Sequence, residues 1–429
     1  MNSLHTGAVF TLDQVQETSQ RMVKMMTTNS GEFPTGKWPE RVKALSVFLV
    51  LFLCNAPGVV HAGEMDNASL REFLGDSYFQ TQQLWEGRGG TSIVTAQNGT
   101  VIAFHGRNSM IRISKDGGET WRAERSMGGS VTNGNVVLDE TTCDILFLNP
   151  GSEGEGKMMR SSDHGQTWVE EDIHLRPDGF GLYPHSVGSM QAGVTLEFGE
   201  HTGRLIMPGR IMGPAGSNDV QWRPYHYSTA LYSDDGGETW QTSRPFPVLG
   251  TGEAALAELS DGRIMYNSRE HMSVGNRFIA QSDDGGHTWI NPYRSADLPD
   301  GAGGSSYGCM GGMIRLPVDE YDILIYSNLD TEAGQMPGKV GASITKEREN
   351  ISVWVSFDGG KSWPVKRLVF GGPSAYSNLG VGRPGTVTEG KIYLLYEGGP
   401  GGRKSAVQVA VFNLRWILNG ENISDYLEQ

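Results

Sequence analysis

Between residues 80 and 417 the chain is built of short apolar runs rich in β-branched and aromatic residues, at 92–104, 135–148, 204–207, 263–268, 322–328 and 391–396. Clusters of Gly, Asp, Asn and Ser bound these runs, the composition of strands separated by turns. No long segment among them repeats its apolar positions with the 3.6-residue period of an amphipathic helix. The pattern predicts an all-β fold.

A second pattern is laid over the first. The motif Ser-x-Asp-x-Gly-x-Thr-Trp recurs at 114–121, 161–168, 233–240, 282–289 and 356–363, the last copy with Ser362 in place of Thr. The starts lie roughly 50 or 70 residues apart, a spacing that marks a β-propeller with insertions. In such a motif the Asp carboxylate can accept hydrogen bonds from backbone N–H groups a few residues on. The glycines supply positive φ, and the Trp ring anchors the following strand. Asp116, Asp163, Asp235, Asp284 and Asp358 are therefore expected to build turns rather than to catalyse. Asp234-Asp235-Gly236 lacks the further ligands of a calcium loop.

The 59 glycines suit a fold of short strands and turns. A formal net charge of −14 without a basic stripe argues against nucleic acid and anionic membrane surfaces as partners. It leaves room for an acidic ligand held by a local arginine cluster. No cysteine–histidine ligand cluster and no phosphate-cradling glycine loop occurs, so neither a metal nor an organic cofactor is expected.

Residues 1–62 are expected to be an N-terminal extension ending in a secretory signal. Lys37, Arg41 and Lys43 precede the apolar run 44–54, and Val60-His61-Ala62 offers small residues for cleavage after Ala62. The run is too short to span a bilayer comfortably, so no stable membrane span is expected after cleavage. The mature chain would be secreted or periplasmic, with 63–79 as a linker and 80–429 as the propeller. Cys54 would leave with the signal. Cys143 and Cys309 alone imply no disulfide framework, and whether they pair stays open.

With the turn motifs set aside, an ordered series of polar residues remains. Gly252-Glu253 is followed by Ser260-Asp261-Gly262-Arg263 and then Arg269. Later come Arg348-Glu349-Asn350, Ala375-Tyr376-Ser377-Asn378-Leu379, Tyr396-Glu397-Gly398 and the ending Phe412-Asn413-Leu414-Arg415-Trp416. In these segments and their order the chain resembles the sialidase (neuraminidase) superfamily, over roughly residues 80 to 417. The resemblance implies a six-bladed propeller whose last blade lacks a turn motif. It also implies removal of terminal sialic acid, or a related nonulosonic acid, from glycans.

By that resemblance Arg88, Arg269 and Arg348 would hold the substrate carboxylate, with Arg107 competing for the place of Arg88. Planar guanidiniums suit this work because they donate paired, charge-assisted hydrogen bonds that lysine cannot copy. Glu397 would brace Arg88. Tyr376 would be the nucleophile and Glu253 its base. A neutral phenol can approach an anionic sugar that would repel a carboxylate, and it can be deprotonated as it attacks.

The segment 103–109 departs from the family pattern. It lacks the Asp expected to protonate the leaving oxygen and later to activate water. His105 is the substitute expected here, because imidazole titrates near neutrality, with His185 a second choice. The same absence supports an alternative, a sialoglycan-binding propeller that keeps the arginines without hydrolysis. A propeller serving only as a scaffold would need none of the ordered arginines.

Overall fold

The computed structural model describes residues 68–106, 109–151, 153–188, 190–212, 216–272, 275–300, 308–330 and 348–427. The expected signal segment and Arg107 lie outside them. Within the described residues the apolar runs form strands that pair antiparallel in sets of four, the second and third sets being joined by a parallel pairing of their last strands. The first set is β2 (Gly90–Thr95), β3 (Val101–His105), β4 (Met110–Ser114) and β5 (Arg125–Ser126), preceded in the chain by β1 (Phe79–Glu86). The next two are β6 (Asn135–Leu138), β7 (Ile145–Asn149), β8 (Glu155–Ser161), β9 (Val169–Arg176), then β10 (Val194–Thr195), β11 (Leu205–Ile211), β12 (Tyr227–Ser233), β13 (Thr239–Thr242). There follow β14 (Thr251–Glu258), β15 (Ile264–Glu270), β16 (Asn276–Ser282), β17 (Ile290–Pro299), then β18 (Gly312–Arg315), β19 (Leu324–Leu329), β20 (Glu349–Ser356) and β21 (Val365–Val381). Last come β22 (Ile392–Gly398) and β23 (Ala406–Phe412).

The long strand β21 serves two sets. Its first half pairs with β20, and after a register shift between Ser374 and Ser377 its second half pairs with β22. The outer strand beside β23 comes from the other end of the chain: β1 pairs with it antiparallel, from Phe79 opposite Phe412 to Glu86 opposite Ala406. Inner strands of neighbouring sets touch in turn, β2 against β6, β6 against β10 and β11, β11 against β14, β14 against β18, β18 against β21 and β21 against β2, as in a propeller. Two hydrogen bonds from the Gln191 side chain, Nε2 donating to the Leu379 carbonyl at 2.6 Å and Oε1 accepting from the Leu379 N–H at 3.0 Å, tie distant sets together.

The core is divided among the gaps between neighbouring sets. Phe104 of β3 stacks on Phe147 of β7 with centroids 5.4 Å apart, within one such cluster. Inner strands such as β3, β11 and β22 are buried along their whole length. That is why they read as continuous apolar runs. Helices α1 (Ala68–Phe73) and α2 (Leu414–Leu418) add Leu70, Phe73, Trp416 and Ile417 to the last gap. Helix α1 falls in the stretch expected to be a linker.

Every turn motif starts on the last residue of the third strand of its set, where the Asp accepts hydrogen bonds as expected. Asp235 Oδ1 accepts from the Ser233 hydroxyl at 2.7 Å and the Thr239 N–H at 2.9 Å, and the other four repeat this arrangement. The third-strand position also explains the glycines. A Cβ on Gly165, Gly237, Gly286 or Gly360 would strike Ile102, Leu146, Ile206 or Met265 of the preceding set, so the motifs close the gaps between sets.

Candidate active site

Strand irregularities aim the site residues. Glu253 lies in a register shift of β14 between Thr251 and Ala254, and Tyr376 lies in the shift of β21 between Ser374 and Ser377. Such bulges turn a side chain out of the regular alternation. Arg269 comes from β15, Glu397 from β22, and Arg348 immediately precedes β20. Arg88 stands just before β2. All six line one cleft of about 560 Å³, together with Arg210, Arg223, His271, Arg403 and Lys404.

The Tyr376 hydroxyl donates to Glu253 Oε1 at 2.7 Å. Arg269 Nη1 donates to the other oxygen of Glu253 and, at 3.2 Å, to the phenolic oxygen. The guanidinium carbons of Arg88 and Arg348 stand 5.9 and 5.6 Å from the centre of the Tyr376 ring. Glu397 Oε1 accepts from Arg88 Nε at 3.4 Å and from the Gly89 N–H at 3.1 Å, which fixes the turn carrying Arg88. Arg348 Nη2 donates to the Gly308 carbonyl at 2.7 Å.

Electrostatics follow from this packing. Burial by itself raises the Glu253 carboxyl, but Arg269, Arg210 and the Tyr376 hydrogen bond overcome it and hold the group at about 2. Burial and the adjacent Glu253 charge push the Tyr376 phenol upward, against the pull of Arg269 and Arg348. The result is an ionised carboxylate holding a neutral phenol. Among the described residues no cluster of His, Cys, Asp and Glu could hold a metal ion. Cys143 and Cys309 are both free.

The histidines sit differently from the expectation. His105 is 8% exposed, edge-on to Trp85 at 5.5 Å, and covered by Gly89, where an added Cβ would come 2.5 Å from its ring. It does not line the cleft. The short β3–β4 turn buries the ring behind the Arg88–Gly89 segment instead of aiming it at the site. His185 accepts the Met212 N–H through Nδ1 at 3.0 Å and also lies outside the lining. Glu253 and Glu397 are the carboxylic acids lining the cleft among the described residues.

Several site residues escaped the sequence reading. Arg277 is fully buried, paired with Asp300 at 2.8 Å, and donates to the Glu253 carbonyl at 3.3 Å, so it positions Glu253. Arg210 and Arg223 also face the site. A signal for one of them was present: Arg210 interrupts the otherwise apolar strand β11, where an unexplained charge is costly.

The model of the BNR repeat-like domain family matches residues 128–388, and the chain belongs to that family. It is 29% identical over 351 residues to a sialidase of Micromonospora viridifaciens, covering 74% of this chain and 48% of the relative. It is 23% identical to a sialidase of Bacteroides fragilis, covering 79% of this chain and 62% of that protein. The chain thus spans about half to three-fifths of these curated relatives. The solved Hadza microbial sialidase Hz136 superposes with a TM-score of 0.56 at 21% identity, over 77% of this chain and 66% of that one. The likeness fits the all-β propeller and marks the chain as sialidase-like.

Proposed function

We propose that the cleft cleaves a terminal nonulosonic acid, sialic acid foremost, from glycans by attack of Tyr376 on the anomeric carbon. The supporting observation is the 2.7 Å hydrogen bond between Tyr376 and Glu253, made inside a cleft shared with Arg88, Arg269 and Arg348. The three guanidiniums receive the substrate carboxylate. Its negative charge offsets the field of Arg269, so Glu253 becomes more basic as the substrate binds. Glu253 then takes the phenolic proton while the Tyr376 oxygen bonds to the sugar and the aglycone departs. The aglycone leaves as an anion and takes a proton from solvent; water later displaces Tyr376, giving up one proton to solvent, and Glu253 returns its proton to the phenolic oxygen. Glu397 keeps Arg88 in place throughout.

Glu253 and Glu397 are the carboxylic acids lining the cleft among the described residues, and the scheme already uses both, so none is left to protonate the leaving oxygen. The reading therefore predicts a strong dependence on leaving-group quality. An aryl sialoside, whose phenolate needs no proton, should be cleaved at least about a hundredfold faster than an alkyl or glycan-linked one, the usual worth of a general acid. Comparison of kcat/KM for 4-methylumbelliferyl sialoside and sialyllactose tests this. Comparable rates would mean that an acid operates at the site.

The missing acid also favours a second reading, a propeller that binds sialylated glycans without cleaving them. Binding of free sialic acid that depends on Arg269 and Arg348, with no release of sugar from the aryl substrate, would establish it. As for location, we infer export with removal of residues 1–62. An N-terminus at Gly63 in the exported protein is the expected result.

A further inference from the structure

The cleft holds more positive charge than one carboxylate can use. Among the described residues seven cationic side chains line it against two carboxylates, in a chain whose net charge is −14. Arg88, Arg269 and Arg348 suffice for a substrate carboxylate, which has only two oxygens to offer. Arg210 and Arg223, 3% and 9% exposed, stand outside that trio. Burying guanidiniums so near Arg269 is unfavourable without an anion to compensate. Glu253 compensates part of it, but Arg269 already holds that carboxylate.

Hydrogen-bond donors at the same place are also unused. Arg210 Nη2 is engaged by Asn218 at 2.8 Å and by His226 Nδ1 at 2.7 Å, yet its Nε has no partner among the described residues. His271 is 5% exposed and neither ring nitrogen has a partner there. Both groups crowd the Cα of Gly252: a Cβ at that glycine would lie 2.2 Å from His271 Nε2 and 3.1 Å from Arg210 Nε. Unmade hydrogen bonds on buried donors cost stability, so such donors mark a place for an acceptor.

We propose that Arg210, Arg223 and His271 form a second anion-recognition subsite, which takes a further anionic group of the same substrate. This rests on the sugar-acid reading above and narrows it: the preferred ligand is a nonulosonic acid bearing a sulfate ester or phosphate, or one linked to a second acidic sugar. The first carboxylate goes to Arg88, Arg269 and Arg348. The second anion accepts from Arg210 Nε, His271 and the Arg223 guanidinium.

The test is calorimetric binding at low salt of four free ligands: N-acetylneuraminic acid, its 8-O-sulfate, its 9-phosphate and its α2,8-linked dimer. At least one dianion should bind at least tenfold tighter than the monoanion, equivalent to about 1.4 kcal/mol. In Arg223→Gln that ratio should fall to within about twofold of one, and Arg223→Lys should recover part of it. Which dianion gains distinguishes sulfate, phosphate and carboxylate as the second group. If all three dianions bind no tighter than the monoanion to the unmodified protein, the subsite is refuted whatever the variants do. A preference that survives Arg223→Gln in a folded variant also overturns the assignment. Failure of the underlying reading looks different: the monoanion itself would not bind, or its binding would ignore Arg348→Gln.

Discussion

Glu253 is stabilised as an anion before any substrate arrives, because Arg269 and Arg210 together outweigh the cost of burying it. With its carboxyl held at about 2, Glu253 is ionised at neutral and mildly acidic pH. The acid limb of a pH profile for kcat/KM should therefore not report its titration. Glu253→Gln keeps an acceptor near Tyr376 but cannot take the proton, so kcat should fall by at least about a hundredfold. Steady-state kinetics would check it; a fall below about threefold would remove Glu253 as the base. His105 sits where its loss disturbs the wall behind Arg88. His105→Ala should lower the melting temperature and affect aryl and glycan-linked substrates equally. Selective loss on the glycan-linked substrate would restore His105 as the acid. Arg210, Arg223 and His271 were illegible as a group in the sequence, since they come from separate segments and only the fold makes them neighbours. Tyr376, Glu253, Arg269 and Arg348 could be found because each sits in a distinctive local segment.

At the level of elements, the turn motifs act through geometry that depends on both glycine and ionised aspartate. Gly286 has φ +85°, and a Cβ there would lie 2.1 Å from Ile206 Cδ1. Gly286→Ala should cost about 2–4 kcal/mol through backbone strain and overpacking, measurable by urea unfolding. Exposed alanine substitutions elsewhere should cost far less. Slight burial raises the Asp116 and Asp163 carboxyls, but hydrogen bonds from Thr120 and Thr167, respectively, and from their serines draw both down to about 2. A group whose folded value lies below its unfolded value near 4 contributes its full stability above that pH. The contribution disappears as pH falls from about 4 toward 2. The urea midpoint should drop across that window, and less so in Asp163→Asn. The turn motifs were legible because their chemistry is local. Strand β1 was not: its sequence Phe-Gln-Thr-Gln-Gln-Leu-Trp-Glu is polar, and only Leu84 and Trp85 are buried in it. It exists because β23 offers an open edge, a reason that lies more than 300 residues away.

Across the whole molecule, a net charge of −14 surrounds a cationic cleft. The outer charge repels an anionic glycan at long range, while the cleft attracts it at short range. Salt screens the distant repulsion first, since the Debye length is about 30 Å at 0.01 M and about 8 Å at 0.15 M. We expect kcat/KM to rise between those ionic strengths and to fall again near 1 M. A monotonic fall from 0.01 M would mean that the cleft alone governs encounter.

Covalent attachment of the sugar to Tyr376 separates this mechanism from every other reading of the cleft. Incubation with 2,3-difluorosialic acid, whose fluorines slow release of the sugar, followed by peptide mass spectrometry, tests it directly. One sugar adduct is expected, on Tyr376, and none in Tyr376→Phe. An adduct on another residue, or continued hydrolysis of an aryl sialoside by Tyr376→Phe at the parent rate, would contradict it.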